Sequence, residues 1–249
     1  MEWYLIAGLI GVGFLAGFVN TLAGGGSMLT LPMLMFLGLP AGVANGTNRV
    51  AILLQNIAGV KTFRDNKAIN LKVDSRLAIP AVIGAVPGAF IAADLNEEIM
   101  RRVIAVVLGL MFFLVLLKPK TWERSMIADP ERPVWWQYLL FFFIGMYGGF
   151  IQVGTGFLLL AGLVMGSGYD LVRGNAVKKW IILLYTPFAL AVFFFNHQVD
   201  LKAGLILAIG NMLGAVTGAK FAVSWGPKVV KYFLLLALVV VTLKLFNVF

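Results

Sequence analysis

The stretches LAIPAVIGAVPGAFIA (residues 77–92) and LAIGNMLGAVTGAKFA (residues 207–222) decide the fold of this chain, because they match at nine of sixteen positions without a gap. They lie 130 residues apart, and the same offset pairs glycine and polar positions elsewhere in the sequence. These pairs are Gly24 with Gly154, Gly26 with Gly156, Gly38 with Gly168, Asn45 with Asn175, Arg49 with Lys179, Asn66 with Asn196 and Lys72 with Lys202. One register that holds for apolar and polar positions alike predicts an internal duplication.

The composition indicates a membrane protein. The 249 residues are 61% hydrophobic and 12% charged, which is about half the charge of a soluble domain. The absence of cysteine excludes disulfides, thiolate metal sites and cysteine nucleophiles. The net charge of +9 comes mainly from short segments between apolar blocks, where membrane proteins carry their cytoplasmic anchors. We therefore expect the lipid bilayer as a partner and no nucleic acid.

Apolar blocks alternate with polar segments along the chain, and most are long enough to cross the roughly 30 Å hydrocarbon core as helices. The blocks cover residues 3–22, 28–39, 43–60, 77–93 and 99–117, and then residues 134–153, 157–166, 171–195, 201–223 and 229–246. Glu2 precedes the first block where a signal peptide would have basic residues, so we expect a retained first helix. The second block of each half is too short for a full crossing and follows glycines.

These blocks predict an all-α polytopic membrane protein with two repeats of four to five helical segments each. Repeat 1 covers residues 1–117 and repeat 2 covers residues 134–249. The polar segment 118–133, which contains the charged run ADPERP, is the predicted linker and is expected to be cytoplasmic.

Loop charges indicate that the repeats are inverted. The segment 61–76 carries five basic residues, whereas its partner 196–202 offers His197 and Lys202 against Asp200. In the next loops the bias reverses, with acids near Arg101 and Arg102 in the first half and three lysines without nearby acids in the second. Because basic loops stay cytoplasmic, opposite biases favour opposite orientations. Inverted repeats support alternating access.

Two glycine-rich stretches interrupt apolar blocks at repeat-related positions. They are AGGGS at residues 23–27 and VGTGF at residues 153–157. Backbone that leaves a helix inside a bilayer is tolerated where it is packed in protein or lines a watery cavity. Exposed N–H groups and a following helix start would suit an anion. The alternative is that these glycines only allow close helix packing.

A second pair of motifs opens the long apolar helix that follows the short block of each half. NGTNR (residues 45–49) has Asn45 and Arg49 on one helical face, and NAVKK (residues 175–179) is its counterpart. A cation within a membrane segment either extends to the interface or serves a cavity, and both readings stay open for Arg49, Lys178 and Lys179. Arginine binds oxyanions through two parallel hydrogen bonds.

Acidic residues and histidine are placed where an enzyme or a proton pump would not need them. All eleven Asp and Glu residues fall near the ends of apolar blocks or between them, so we expect no buried acid and no carboxylate relay. The one histidine, His197, is expected in a solvated loop. We expect no enzyme activity, no metal and no cofactor.

The chain resembles the TauE/SafE sulfite exporter family, also called TSUP (4-toluene sulfonate uptake permease-like transporters). The resemblance rests on GFVNTLAGGGSMLTLPML (residues 17–34), GLPAGVANGTNRVAILLQNIAG (38–59), GGFIQVGTGFLLLAGLV (148–164) and RGNAVKK (173–179). It covers essentially the whole chain. It implies a duplicated helical protein of the bacterial inner membrane that transports small sulfur-containing anions such as sulfite or sulfoacetate. The pairing of Arg49 with Lys179, with Lys178 in addition, departs from exact symmetry.

We therefore expect a multi-pass transporter of the cell inner membrane that moves a small anion by alternating access. An anion channel, or a membrane scaffold or sensor that transports nothing, is the alternative. The sequence leaves open whether a second copy of the chain is a partner in a homodimer. The candidate substrate-binding residues are Asn20, Gly24, Gly25, Gly26, Ser27, Asn45, Asn48, Arg49, Gln152, Gly154, Thr155, Gly156, Asn175, Lys178 and Lys179.

Overall fold

A computed structural model describes residues 2–65, 69, 71–116 and 133–224 of the chain, and these residues form helices and connecting turns without any strand. The helices are α1 (Trp3–Ala23), α2 (Ser27–Phe36), α3 (Ala41–Asp65), α4 (Leu71–Ala93), α5 (Glu97–Leu116), α6 (Trp135–Phe150), α7 (Thr155–Ala161), α8 (Leu171–Phe195) and α9 (Leu201–Ser224). A π-helical turn, Gly162–Gly166, extends α7. The predicted block 229–246 and most of the predicted linker lie outside the described residues.

The lengths and surfaces of the helices fit a membrane protein. Within the described residues, four stretches are long and apolar enough to cross a bilayer, namely Trp3–Leu22, Asp74–Ala93, Val172–Phe195 and Leu201–Phe221. The apolar helices Ser27–Phe36 and Thr155–Gly166 are shorter. Large apolar side chains stand on the outside, with Trp3 80% and Phe195 79% exposed. A soluble protein would not display such side chains in number, because water contact is unfavourable for them. The all-α polytopic membrane class is confirmed for the described residues.

The first helix of each half packs along the fourth helix of the other half, so that α1 lies on α9 and α4 lies on α6. Glycines make this close approach possible. A Cβ atom built on Gly214 would lie 2.0 Å from the Phe14 carbonyl oxygen, and one on Gly149 would lie 1.9 Å from the Ala85 carbonyl oxygen. Small residues are the usual contact residues between membrane helices. In these two interfaces the glycines therefore serve backbone packing.

The third helices, α3 and α8, cross the middle of the molecule and run antiparallel. Gly46, near the start of α3, contacts Phe193 near the end of α8, while Gly59, near the end of α3, contacts Lys179 near the start of α8. α3 also lies along α9, and α8 also lies along α4. Each half is thus held mainly through helices of the other half.

The helix ends at repeat-related positions share an unusual backbone conformation. Gly24 follows α1 with φ 82°, and Gly154 precedes α7 with φ 74°. Gly38 and Gly168, which follow the two short segments, have φ 88° and 76°. This left-handed region disfavours residues with a side chain. The 130-residue register therefore marks matching turns in the two halves.

One sequence expectation about acids is wrong. Asp74, at the start of α4, is fully buried. Its Oδ1 accepts hydrogen bonds from the Tyr169 hydroxyl at 3.0 Å and from Arg173 at 3.2 Å. The apolar block begins three residues later, so the sequence placed Asp74 outside it. Packing of the α8 start over the α4 start covers the carboxylate.

A set of glycine-to-alanine variants tests the contact between the two glycine breaks. Gly24→Ala would place its Cβ 2.3 Å from the Gly156 carbonyl carbon and also occupy φ 82°. Gly38→Ala has the same φ problem but nothing within 4 Å, and Gly11→Ala has neither problem. We expect Gly38→Ala to lower the free energy of unfolding by about 1–2 kcal/mol, and Gly24→Ala by about 1–3 kcal/mol more because of the clash.

Unfolding in mixed micelles of mild detergent and dodecyl sulfate measures this series, with Gly11→Ala as the neutral control. Equal losses for Gly24→Ala and Gly38→Ala would show that the Gly24–Gly156 contact does not constrain the fold.

Candidate functional site

The two glycine breaks meet in the interior. A Cβ on Gly24 would lie 2.3 Å from the Gly156 carbonyl carbon, and a Cβ on Gly156 would lie 2.7 Å from the Gly24 carbonyl oxygen. Gly24 ends α1, and Gly156 lies in the first turn of α7. The backbone of each break thus packs on the other break.

Arg49 of α3 binds the C-terminal end of α6. Its guanidinium is fully buried and donates through Nη1 to the Gly148 oxygen at 3.0 Å. Nη2 donates to the Gly149 oxygen at 2.6 Å and to the Phe150 oxygen at 3.4 Å. These carbonyls belong to the last turn of α6, where the helix leaves its acceptors unpaired and the dipole is negative. A fork of N–H donors on a flat cation suits such a helix end.

Asn45 and Phe193 complete the surroundings of this guanidinium. The Asn45 amide donates to the Phe150 oxygen at 2.9 Å, so Asn45 and Arg49 act on the same helix end, as their i, i+4 spacing predicts. The Arg49 Cζ lies 4.6 Å from the centroid of the Phe193 ring. This distance permits a cation–π interaction. The Asn45 Oδ1 and Arg49 Nε atoms have no hydrogen-bond partner among the described residues.

Polar side chains of the second break surround the same region. Gln152 donates to the Tyr185 hydroxyl at 2.9 Å, and Thr155 donates to the Ile151 oxygen at 3.0 Å. The Tyr147 hydroxyl donates to the Val153 oxygen at 2.7 Å. The carbonyl oxygens of the non-helical residues 151–154 therefore find donors inside the protein, as a bilayer interior requires.

Lys178 of α8 binds the end of α1 in the corresponding way. Its ammonium donates to the Asn20 oxygen at 3.0 Å and to Asn175 Oδ1 at 2.6 Å. Asn20 lies 130 residues before Phe150, whose carbonyl accepts from Arg49 and Asn45. The third helix of each half therefore places a cation on the last turn of the first helix of the other half.

Lys179 lies next to Lys178 but has a different environment. It is 1% exposed, and its Nζ has no hydrogen-bond partner among the described residues. The chain runs against Gly59 of α3, where an added Cβ would lie 2.7 Å from Lys179 Cδ and 3.0 Å from Nζ. Lys179 is therefore a buried lysine whose Nζ makes no hydrogen bond to the described residues.

The remaining candidates lie at the start of α2 or contact α2. Asn48 accepts a hydrogen bond from Thr30 at 2.7 Å, which ties α3 to α2. Ser27 is buried at the start of α2. Gly25 and Gly26 supply carbonyls that accept from Met28 and Leu29 at 3.1 and 3.0 Å, so these two glycines form the first turn of α2.

Sequence reasoning missed Tyr185 and Tyr147 as members of this region. Both tyrosines lie inside apolar blocks of a chain rich in aromatic residues, so hydropathy alone gives no reason to single them out. A signal was available for Tyr185, because the 130-residue offset places it opposite Gln55, which is also fully buried. Gln55 and Asn211 are both fully buried, and none of their four amide atoms has a partner among the described residues.

The electrostatic balance of the interior is positive. Arg49, Lys178 and Lys179 are all buried, at 0%, 1% and 1% exposure. Among the described residues Asp74 is the one buried acid, and it pairs with Arg173. No group of three His, Cys, Asp or Glu side chains suitable for a metal ion occurs in the described ranges.

The chain is similar to one protein family and to several probable membrane transporters along nearly its whole length. The family model described as "Sulfite exporter TauE/SafE" matches residues 9–245. The probable membrane transporter protein ORF9 of a Sinorhizobium species is 27% identical over 245 residues, covering 98% of this chain and 94% of that protein. A probable membrane transporter protein of Haemophilus influenzae is 27% identical over 97% of this chain and 94% of its own. The probable membrane transporter protein YfcA of Escherichia coli K12 is 26% identical, with 97% and 89% coverage. No solved structure matches.

Arg49→Lys tests whether the guanidinium fork holds the end of α6. Lysine keeps the charge but cannot reach three carbonyls with a planar fork, so we expect the free energy of unfolding to fall by about 1.5–3 kcal/mol, as for one lost hydrogen bond to a charged group. Unfolding in mixed micelles measures the loss.

Arg102→Lys is the matched control, because Arg102 is 75% exposed and pairs only with Glu98 one turn away among the described residues. It should unfold like the wild type. If Arg49→Lys also unfolds like the wild type, the fork is not what secures α6.

Proposed function

Because the chain belongs to the TauE/SafE sulfite exporter family, we propose that it is a multi-pass transporter of the bacterial inner membrane. Its substrate is a small anion of the sulfur oxyanion or organosulfonate class, such as sulfite or sulfoacetate. It carries this anion by alternating access. The relatives are named as probable membrane transporters without a substrate, so the substrate class rests on the family description and on the charges of the interior.

The surplus of buried positive charge carries the proposal. Arg49 and Lys179 lie in the packed interior without an acidic partner among the described residues. A charge that is taken out of water without an opposite charge is unfavourable. A bound anion would offset this cost, whereas a cationic substrate would increase it.

The position of the cations fits a substrate site between two moving halves. Arg49 and Lys178 lie at the ends of α6 and α1, and those ends lie where the two breaks meet. Substrate sites of inverted-repeat transporters are formed by discontinuous helices at the repeat interface. The antiparallel packing of the repeat partners α3 and α8 supports the inverted arrangement.

The proposed roles of the polar residues follow from their distances. Arg49, Asn45, Lys178 and Asn175 line the helix ends and supply a positive potential. Gln152 and Thr155 lie on the second break. An anion at the meeting point would receive donors from both halves, so closure of one half on the other would depend on the anion.

Anion uptake into proteoliposomes tests the proposed function. We expect radiolabelled sulfite to enter with saturable kinetics, because each transport cycle carries one anion bound at a single site. Unlabelled sulfoacetate, thiosulfate and sulfate should compete to different degrees, and acetate should compete less. Thermal unfolding of the detergent-purified protein with the same anions should show a stabilisation that saturates with concentration.

Empty liposomes and the surface variant Arg101→Gln, whose side chain is 68% exposed, are the controls. Flux that rises linearly with sulfite concentration would indicate a channel. If no anion in the series stabilises the protein or enters the liposomes, an anion is not its substrate.

A further inference from the structure

We propose that the Lys179 ammonium directly binds the transported anion, whereas Arg49 and Lys178 fix the helix ends around it. This assignment rests on the proposed function and makes it more specific. The three buried cations then have two different roles, although the sequence presents them as equivalent.

The hydrogen-bond partners separate the three cations. Arg49 donates to three carbonyls of α6, and Lys178 donates to the Asn20 oxygen and to Asn175. Both cations therefore have acceptors within the protein. Lys179 is 1% exposed and has none among the described residues. An ammonium has three donors and no acceptor, so a buried one requires oxygen atoms from elsewhere.

The surroundings of Lys179 offer further unused polar atoms. Its Nζ lies beside Gly59 of α3. Gln55 and Asn56 precede Gly59 by one helical turn, and Gln55 shares its face at i, i+4. Gln55 Nε2, Gln55 Oε1 and Asn56 Oδ1 are buried without partners in the described part of the chain. Gln55 Nε2 can donate to the same anion as Lys179, since buried donors are normally paired.

Comparison of the halves explains why Lys179 is available. Position 179 corresponds to Arg49 and position 178 corresponds to Asn48 at the 130-residue offset. In the first half Asn48 binds Thr30, so Arg49 must hold the end of α6. In the second half Lys178 holds the end of α1. Lys178, at the position where the first half has an asparagine, thus binds the helix end. Lys179 is therefore not needed at the helix end and can bind a ligand.

Gly59 keeps the space that the Lys179 chain needs. A Cβ at this position would lie 2.7 to 3.0 Å from the last three atoms of Lys179. Helical glycine is otherwise unfavourable relative to alanine. An open path for the ammonium is a reason for a glycine here.

Titration of sulfite and of sulfoacetate into the purified full-length protein tests the assignment, with wild type, Lys179→Met, Lys179→Arg and the exposed control Lys202→Met. We expect Lys179→Met to weaken the affinity at least about tenfold, the effect of one lost hydrogen bond to a charged group. Lys179→Arg should retain measurable affinity because it keeps the charge. Lys202→Met should bind like the wild type.

The melting temperature measured without any anion is a second test. Replacing a lysine that stabilises the fold would lower it, whereas replacing a lysine that binds only the anion would raise it. Lys179→Met removes an unpaired buried charge and fills a similar volume, so the melting temperature should rise. Lys178→Met removes the donor to the Asn20 oxygen, so the melting temperature should fall. This comparison also shows that a loss of affinity in Lys179→Met does not come from misfolding.

The outcomes separate the two proposals. If the wild type binds an anion and Lys179→Met binds it equally well, the assignment of Lys179 is overturned and the proposed function stands. If the wild type binds no anion of the uptake series, the proposed function is overturned and the ligand role of Lys179 with it. A fall in melting temperature for anion-free Lys179→Met would assign Lys179 to the fold.

Discussion

The constraint on which the rest of the structure depends is that α1 and α6 end inside the protein, where their last carbonyl groups cannot reach water. Unpaired backbone groups are costly in a bilayer interior, so side chains must supply the missing donors. Arg49 and Asn45 do so at α6. At α1 the Asn20 oxygen accepts from the Gly24 amide and in addition from Lys178. Each of these side-chain donors comes from the other half of the chain, so the breaks hold the two halves together.

This solution has an electrostatic consequence. Cations suit the negative ends of helices, but carbonyl dipoles carry only part of a charge, and the buried acid Asp74 is already paired with Arg173. The interior of the described part of the chain is therefore left positive.

The sequence predicted the helical class, the two short segments and the matching glycine turns, because hydropathy and the 130-residue register report directly on these features. It also placed Asn45 and Arg49 on one face. It could not say what that face would bind, since the Gly148 to Phe150 carbonyls are about one hundred residues away along the chain. The burial of Asp74 was missed for a similar reason. It depends on Tyr169 and Arg173, which lie ninety-five and ninety-nine residues further on.

The difference between the two halves matters as much as their similarity. The short helix of the first half is a regular ten-residue α2, whereas the second half has the seven-residue α7 and a π turn. Both segments end at a left-handed glycine, Gly38 or Gly168. The following amide bonds to the Leu34 oxygen in the first half and to the Leu163 oxygen in the second, one residue earlier in the register. The two segments therefore share their glycine ends but differ in hydrogen bonding. The cations differ in a similar way. Arg49 binds a helix end in the first half, whereas in the second half this role belongs to Lys178, one residue earlier in the 130-residue register. In a chain with two identical halves, each such cation would bind a helix end and none would lack an acceptor.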